Sequence, residues 1–430
     1  MIPVAQTELD FDPMVPHRDL LLESDELTRR LSVLLSQNGP LNIQYSERVR
    51  VKYRAGKSLR VLTKIQVQER SYAVAARTFS GGRSLDAFER MVPAVVPCGP
   101  LRPVARDAEL DTLFWVFPND RKIANLSLLS AIPESLAQWF DPAWSGSRMV
   151  AYAPEKCATV QCLSEDREIV AYAKINAEDD GRRIQQNYDS VCRAAAQQNQ
   201  PLRIPRALAY SDTWRTLFLE NIPGKRLADL DGAEFRRGMK LLGASLATLH
   251  SLPAPDGLSP FRRHSAEALT TAADIVGAVR PDVADRARAL AADLAPSNGA
   301  LDDPQVCLHG DVHPKNAILN DGTLALVDLD QMALGSPACD LGSLLALLHY
   351  RRCIGRLAEG GEHELSEAFL AGYAGVRELP APASLLWHTV AALLSERALR
   401  AVNRVSEEGL AHLPDLIQLA ENLWRRRANV

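Results

Sequence analysis

The chain has 430 residues, of which 47% are hydrophobic and 24% are charged. Because single hydrophobic cores stop growing at roughly 250–300 residues, this length predicts more than one lobe, and the composition excludes a disordered chain. The net charge of -4 indicates no overall basic face, so we expect neither nucleic acid nor a membrane as a partner.

The seven cysteines are scattered along the chain without a C-x-x-C pair. This pattern is typical of a reducing cytosol rather than of a disulfide framework or a structural zinc site. The first residues lack the basic start and apolar run of a signal peptide, and no stretch approaches the ~18 apolar residues of a membrane span. We therefore expect a cytoplasmic protein.

Predicted strands dominate the first part of the chain. The segment 49–79 is rich in β-branched and alternating apolar residues and ends at Ser80-Gly81-Gly82, which predicts two or three antiparallel strands. A further strand is predicted at 112–117, directly before Pro118. Together these segments predict a small β-rich unit.

The same order of segments returns about a hundred residues later. The pattern Y-x-x-x-K-x-x-x-V begins at Tyr53 and again at Tyr152, a displacement of 99 residues. The strand that carries Arg77 then corresponds to the strand that carries Lys174. Chance agreement of strand-rich segments is the alternative, but the matches keep their order. We therefore predict a duplicated unit, with the residues 134–146 as the linker.

Helical patterns follow the second copy. An apolar stripe at every third or fourth position predicts an amphipathic helix that ends at Leu252-Pro253; its members are Phe235, Met239, Leu242, Leu246 and Leu249. Further helical patterns occupy 264–295, 338–375 and 384–426. Only the segment 306–330 interrupts this α-rich half.

The interrupting segment contains the polar residues that indicate chemistry. The run from His309 to Asn316 reads H-G-D-V-H-P-K-N, and Asn320-Asp321-Gly322 is a hairpin turn signal before a second apolar run. We expect a loop to present Asp311 and Asn316 and a hairpin strand to deliver Asp328 beside them.

These residue types suit phosphoryl transfer, in which the protein mainly positions the reactants and neutralises charge. A carboxylate must orient the acceptor hydroxyl and accept its proton, and amide and carboxylate oxygens are ligands that Mg²⁺ prefers. Asp311 fits the first role, and Asn316 with Asp328 fits the second. A turn or cap role is the alternative for each residue alone, and the joint spacing disfavours it.

The loop from His309 to Asn316 resembles the H-G-D-x-H-x-x-N catalytic loop of the aminoglycoside phosphotransferase and choline kinase-like family. The segment 327–330 resembles the family's metal-binding I-D-x-x segment, and 335–341 and 369–373 are similar to two later family segments. The matches cover about 150–375. The resemblance implies an α+β, bilobal protein-kinase-like fold and transfer of a phosphoryl group from ATP or GTP, with Mg²⁺, to a small-molecule hydroxyl.

The resemblance and the repeat together predict the domain organisation. Residues 1–140 are expected to form an N-terminal cap, a degenerate copy of the N-lobe in which Arg77 replaces the strand lysine. Residues 145–225 are expected to form the nucleotide-binding N-lobe, and residues 226–430 a helical C-lobe with the catalytic loop and the substrate site. The first copy is not expected to bind a nucleotide productively.

The resemblance also implies residues for the nucleotide. Lys174 lies where the family's phosphate-binding lysine belongs, although a surface lysine on an edge strand is the alternative. Asp189 is the candidate acidic partner, because the helix after Gly181 contains no glutamate. Glu220 and Ile222 lie in the expected hinge, whose backbone reads the base.

The turn at Pro154-Glu155-Lys156 stands where the resemblance implies a phosphate cover, yet it lacks a glycine-rich sequence. Lys156 is therefore either a phosphate ligand or a solvated turn lysine. Two other residues receive scaffold roles: Asp340 is predicted to bond the backbone of the catalytic loop, and His309 to be a buried structural histidine.

The acceptor is expected among amino sugars, sugars, amino alcohols and aminoglycosides. The possible lining residues have core or surface roles as their alternative: Trp387, His388, Glu396 and Arg397. A pseudokinase that serves as a nucleotide-binding or regulatory module is the alternative function. A protein kinase is disfavoured because no A-P-E element follows Asp328.

Overall fold

The computed structural model describes residues 9–129, 132–296 and 303–429. Within these ranges no helix is long and apolar enough to cross a membrane. The chain divides into two compact units. The first runs to Arg182 and adds Leu208–Leu219 and Asn403–Ser406; the second comprises Arg183–Ala207, Glu220–Val402 and the chain from Glu407 onward.

The first unit contains two five-stranded sheets. The strands of the first sheet are β1 Ile43–Arg54, β2 Ser58–Val67, β3 Arg70–Thr78, β4 Val104–Asp107 and β5 Thr112–Val116, and those of the second are β6 Gly146–Ala153, β7 Cys157–Leu163, β8 Ile169–Asn176, β9 Ala207–Ser211 and β10 Thr216–Leu219. The helices of this part are α1 Arg18–Leu22, α2 Ser24–Leu34, α3 Ser84–Met91 and α4 Glu134–Ala137.

The two sheets repeat each other in strand order and register. The order is β1-β2-β3-β5-β4 in the first sheet and β6-β7-β8-β10-β9 in the second. Arg77 lies opposite Leu113 across β3 and β5, and Lys174 lies opposite Leu217 across β8 and β10. The predicted duplication and the correspondence of Arg77 with Lys174 are therefore confirmed.

The first hairpin of each sheet also ends in the same hydrogen-bonded cap. Asp12 accepts a hydrogen bond from the hydroxyl of Tyr53 (2.6 Å) and from the backbone N–H of the left-handed turn residue (2.8 Å). Asp120 makes the same two bonds, with Tyr152 (2.6 Å) and with the turn N–H (2.9 Å). Sequence comparison missed these two carboxylates because they do not occupy corresponding positions in the repeat.

The segment 134–146 connects the two sheets and packs into the core of the first unit. The rings of Trp139, Phe140 and Trp144 lie 5.8, 5.2 and 5.8 Å from the ring of Phe218. Trp144 is only 1% exposed. The predicted linker is therefore an aromatic segment packed on Phe218, in which Trp144 is buried and Trp139 remains largely exposed.

The second unit is mainly helical. Its helices are α5 Gly181–Gln197, which starts in the first unit, α6 Gly232–Ser251, α7 Ala266–Val279, α8 Pro281–Leu294, α9 Pro337–Cys353, α10 Gly361–Ala374, α11 Pro382–Ala392, α12 Leu399–Arg404, α13 Glu407–Ala411 and α14 Leu413–Arg425. A π-helical segment, Leu393–Ala398, joins α11 to α12. The apolar stripe predicted for α6 is buried throughout.

Short strands also lie among these helices in the described residues. They are β11 Lys225–Arg226, β12 Val306–Leu308, β13 Ala317–Asn320, β14 Thr323–Leu326 and β15 Ala333–Gly335, and they form the sheets β11-β13-β14 and β12-β15. The β13–β14 hairpin turns at Asp321 and Gly322, as the sequence predicts. The predicted α+β fold class, with an extra copy of the sheet at the N-terminal side of the chain, is thus confirmed.

Candidate active site

The loop after β12 depends on a glycine. Gly310 has a left-handed backbone (φ +79°), and a Cβ placed on it would lie 1.9 Å from the carbonyl oxygen of Gln331. No side chain fits at that distance, and L-residues rarely adopt this φ. Glycine therefore allows the loop to pass directly against the segment that follows Asp328.

A buried carboxylate holds the same loop from behind. Asp340, in the first turn of α9, accepts hydrogen bonds from the backbone N–H groups of His309 (2.7 Å) and Gly310 (3.0 Å). Its Oδ2 also lies 3.2 Å from Nε2 of His250. Burial would raise the pKa of Asp340, but the hydrogen bonds from His250 and from the backbone N–H of His309 hold the pKa below its usual value. The predicted structural role of Asp340 is confirmed.

His309 is a scaffold residue, as predicted. Its side chain is fully buried, and Nε2 lies 3.1 Å from the carbonyl oxygen of Val327. Burial lowers the pKa of His309, so the ring is held neutral. The ring thereby joins the catalytic loop to the residue before Asp328.

Asp311 projects from this fixed loop and is 31% exposed. Its Oδ2 lies 3.6 Å from Nε2 of His313. Burial would raise the pKa of Asp311, but His313, followed by Arg400 and Arg263, holds it well below the usual range. The carboxyl is therefore ionised at neutral pH and can accept a hydrogen bond or a proton.

Asn316 and Asp328 lie at one end of the β13–β14 hairpin. The side-chain Nδ2 of Asn316 donates to the carbonyl oxygen of Asp311 (3.1 Å), which turns its Oδ1 away from the loop. The backbone N–H of Val327 donates to the carbonyl oxygen of Asn316 (2.9 Å). This bond holds Asp328, the next residue, close to Asn316. Asp328 itself has a left-handed backbone (φ +66°), a conformation that asparagine and aspartate tolerate best among non-glycine residues.

Helix α5 is bonded to the segment after Asp328. The hydroxyl of Tyr188, which is fully buried, accepts a hydrogen bond from the backbone N–H of Leu329 (2.9 Å). Asp189, the next residue on α5, is half-buried, and burial raises its pKa against the opposing charge of Arg193. The role of Tyr188 was missed, because a tyrosine in an amphipathic helix gives no sign of its distant partner.

The predicted hinge is attached to the catalytic hairpin on both sides. Glu220 accepts hydrogen bonds from the guanidinium of Arg203 (2.8 Å) and the backbone N–H of Arg206 (3.0 Å). The backbone of Arg203 in turn pairs with β14, where its carbonyl oxygen accepts from the N–H of Leu326 (2.9 Å). After the hinge, β11 pairs with β13.

The Glu220 carboxylate is thus part of the scaffold. Burial would raise its pKa, but the bond from Arg203 holds the pKa below the usual value. Ile222 has a buried side chain in the same segment. A role in base recognition would therefore fall to the backbone of 220–222.

The two lysine candidates belong to the first unit. Lys174 is half-buried on β8, and Lys156 is exposed at the β6–β7 turn. The neighbouring Glu155 is buried and contacts Arg60 and Arg77 of the first sheet and Arg121 of the segment after it. Asp189 belongs to the second unit, so the pairing of Lys174 with Asp189 stays a prediction.

The four residues considered for the acceptor site are buried in the helical unit: Trp387, His388, Glu396 and Arg397. Glu396 accepts hydrogen bonds from Ser343 (3.0 Å) and Arg397 (2.7 Å), and lies 3.2 Å from Nε2 of His264. Their core roles are confirmed. These bonds stabilise the fold, because removing one partner would leave the Glu396 charge buried and unpaired.

A β-rich unit followed by a helical unit that fixes a loop with Asp311, Asn316 and Asp328 defines a phosphotransferase class of protein. Residues 176–386 match the family model described as "Phosphotransferase enzyme family". The match covers slightly less than half of the chain, and it confirms the predicted resemblance to this family of phosphotransferases. No curated protein sequence matches the chain.

Several solved structures are similar to the chain. An aminoglycoside phosphotransferase from Streptomyces rimosus is 21% identical, with 65% of this chain and 97% of that chain covered and a TM-score of 0.41. A macrolide 2'-phosphotransferase from Brachybacterium faecium is 18% identical (63% and 91% covered, TM-score 0.42). A choline/ethanolamine kinase family protein from Mesorhizobium loti is 16% identical (69% and 92% covered, TM-score 0.45).

Proposed function

We propose that the protein is an ATP-dependent phosphotransferase that moves the γ-phosphoryl group to a hydroxyl of a small molecule. The observation that carries the proposal is the fixed loop, in which Asp340 and His309 hold Asp311 and Asn316 beside the segment of Asp328. Such positioning is the main contribution that a protein makes to phosphoryl transfer.

Asp311 acts as the base in this proposal. Its carboxylate accepts a hydrogen bond from the acceptor hydroxyl, whose oxygen forms the new bond to the γ-phosphorus while the bond to the β–γ bridging oxygen breaks. The hydroxyl proton passes to Asp311, and the nucleoside diphosphate leaves. Because the pKa of Asp311 lies well below its usual range, the carboxylate orients the hydroxyl first and takes the proton late, which suits a loose transition state.

Asn316 and Asp328 would hold Mg²⁺. Their donor set fits this ion, because one amide oxygen and one carboxylate are the hard oxygen ligands that Mg²⁺ prefers. The bond from Asn316 to the Asp311 carbonyl fixes which end of the amide faces the ion. When bound, Mg²⁺ would neutralise charge on the phosphates.

We propose separate contacts for the phosphates and for the base of the nucleotide. We assign the α- and β-phosphates to Lys174, with Asp189 as its partner, and a further phosphate contact to Lys156. The base would bond to the backbone of Glu220 and Ile222, since the Glu220 side chain is already engaged by Arg203. ATP and GTP are both compatible with a backbone hinge.

The acceptor class is tested by a screen. Purified protein would be incubated with ATP and Mg²⁺ and with aminoglycosides, macrolides, amino sugars, sugars and amino alcohols, while ADP release and the mass of each acceptor are followed. We expect one class to gain the mass of a phosphoryl group. Nucleotide-induced thermal stabilisation without transfer to any acceptor would instead favour the nucleotide-binding module.

A further inference from the structure

The first sheet borders a large cavity of about 610 Å³. Its walls come from the β1–β2 turn, the end of β3, one face of α3 and the segment 118–127 after β5. Cavities of this size hold small molecules in many proteins. The cavity lies within the first unit, and its described lining includes none of the residues assigned above to phosphoryl transfer.

The side chains around this cavity are strongly basic. Six of them are cations, while only Asp86 and Asp120 are acidic; the cations are Lys57, Arg77, Arg83, Arg90, Arg121 and Lys122. The Asp120 carboxylate is already engaged by the hydroxyl of Tyr152 and the N–H of Glu155. Positive charges that line a concave surface focus the electrostatic field there and attract anions.

On one wall of the cavity the arginines are paired with a carboxylate of the protein itself. The carboxylate of Glu155, 1% exposed, contacts Arg77 and Arg121, and lies 3.1 Å from Nη1 of Arg60. Burial would raise the pKa of Glu155, but these arginines hold it below the usual value. The Nε of Arg77 is buried without a hydrogen-bond partner among the described residues.

The remaining cations are uncompensated. No ion pair within the described part of the chain involves the four other basic lining residues, Lys57, Arg83, Arg90 and Lys122. Arg83 bonds only to the carbonyl and hydroxyl oxygens of Ser80, at 2.9 Å each. Glu155 therefore neutralises one wall of the cavity, whereas the four other cations are exposed and leave its rim positive.

The cavity also has an apolar part. Its apolar lining residues are Phe79, Met91, Val95 and Ile123. The guanidinium groups of Arg77 and Arg121 lie 5.3 and 5.9 Å from the centre of the Phe79 ring. A ligand with an anionic end and an organic body would satisfy both parts. Phosphate groups suit the basic part best, because arginine binds them with two parallel hydrogen bonds.

We propose that this cavity is a binding site for a phosphate-bearing organic anion, separate from the phosphoryl-transfer site. The sheet that borders it has the register of the second sheet, and Arg77 takes the position of Lys174. The adjacent amide and carboxylate of its lining, Asn119 and Asp120, are already engaged by protein groups. Binding is therefore independent of Mg²⁺ and leads to no transfer.

Binding of ADP and of pyrophosphate tests the proposal, measured by calorimetry with full-length protein in EDTA at low salt. Pyrophosphate reports the phosphate contacts alone, whereas ADP adds the organic body. We expect both to bind, to weaken as salt rises, and to weaken at least 10-fold when Arg90→Gln and Lys122→Gln are combined. Neither residue contacts Glu155, so this variant keeps the fold of the wall.

Two controls make the result specific. The combination of Lys64→Gln with Arg102→Gln removes the same charge from exposed positions of the same unit outside the cavity, and should bind as the wild type does. Lys174→Met should weaken Mg²⁺-dependent use of ATP without changing pyrophosphate binding in EDTA. Absence of binding for both probes, or equal loss in the two charge variants, would overturn the proposal while leaving the proposed phosphotransferase intact.

Discussion

Asp328 combines a metal-binding assignment with an unusual backbone. Its φ of +66° is a conformation that asparagine also tolerates, whereas it costs alanine about 1 kcal/mol or more. Asp328→Asn is expected to keep the stability of the wild type and to raise the Mg²⁺ concentration needed for ATP use at least tenfold. Asp328→Ala should show the same metal defect with a lower midpoint of unfolding.

Titration of ATP use against Mg²⁺, together with urea unfolding, separates these two effects. An unchanged Mg²⁺ dependence in Asp328→Asn would contradict the metal assignment. A stable Asp328→Ala variant would contradict the predicted cost of the left-handed backbone, and it would leave the metal assignment unaffected.

Asp340 should matter for stability before it matters for chemistry. Asp340→Asn removes a buried charge that accepts two backbone N–H bonds and faces His250, and places an NH₂ group where an acceptor is needed. The expected cost is about 3 kcal/mol of the free energy of unfolding. Urea unfolding measures it, with the exposed Asp293→Asn as the control; equal stability of the two variants would refute the scaffold role.

At the residue scale, local spacing decided what the sequence could predict. Asp311, Asn316 and Asp328 fall within one short segment, so their spacing carried the chemistry. The bond from Leu329 to Tyr188 joins residues 141 positions apart, and no local pattern records such a contact. The same holds for the carboxylate that caps each sheet.

At the scale of the secondary elements, the catalytic loop passes close to the segment 329–331, and two glycine variants test whether this close approach matters. Gly310 and Gly322 both have left-handed backbones (φ +79° and +82°). A Cβ at Gly310 would lie 1.9 Å from a backbone oxygen, whereas a Cβ at Gly322 would meet only the flexible end of Arg237 at 3.0 Å.

Gly310→Ala should therefore lose both stability and activity, because the loop must move. Gly322→Ala should lose about 1 kcal/mol of stability and keep its activity. Thermal unfolding and ADP release check both variants. Similar behaviour of the two would show that backbone conformation, and not the close approach, governs this loop.

Long elements with clear periodicity could be predicted, and short ones could not. The strands of both sheets and the stripe of α6 follow from alternation and helical spacing. Strands such as β11, with two residues, and β12, with three, have no period to detect. Backbone pairing with a distant strand creates them: β11 pairs with β13 and attaches the hinge to the catalytic hairpin, and β12 pairs with β15.

The whole molecule should lose stability in mild acid. Burial lowers the pKa of His309, His349 and His388. A histidine that folding keeps neutral stabilises the protein above its unfolded pKa of about 6.5, and this contribution is lost as the pH falls below that value. The carboxyls with lowered pKa, including Asp340, lose their contribution only below about pH 4.

Between pH 7.5 and 5.5 the free energy of unfolding should fall by up to about 1.4 kcal/mol for each of these histidines, and by less for the partly exposed His349. Urea midpoints at the two pH values measure the change. His349→Gln should reduce the pH dependence by one histidine's share. A midpoint that rises on acidification would contradict neutral burial of these rings.

At the scale of the chain, the sequence predicted the duplication but not how the copies pack. Both sheets contribute to one buried cluster, and the indole N–H of Trp115 donates to the hydroxyl of Tyr152 (2.9 Å). Glu155, in the β6–β7 turn of the second sheet, likewise contacts Arg60 and Arg77 of the first sheet. Periodicity shows which face of a strand is buried, but it does not show against which partner.

The central claim is that Asp311 is the base for transfer of a phosphoryl group to a small-molecule hydroxyl. Its most direct test compares the rate of acceptor phosphorylation, measured by mass spectrometry of the product, for the wild type and Asp311→Asn. The exposed hairpin variant Asp321→Asn is the control. We predict that kcat falls about 10²–10⁴-fold in Asp311→Asn with ATP binding retained; phosphorylation at the wild-type rate in that variant would contradict the claim.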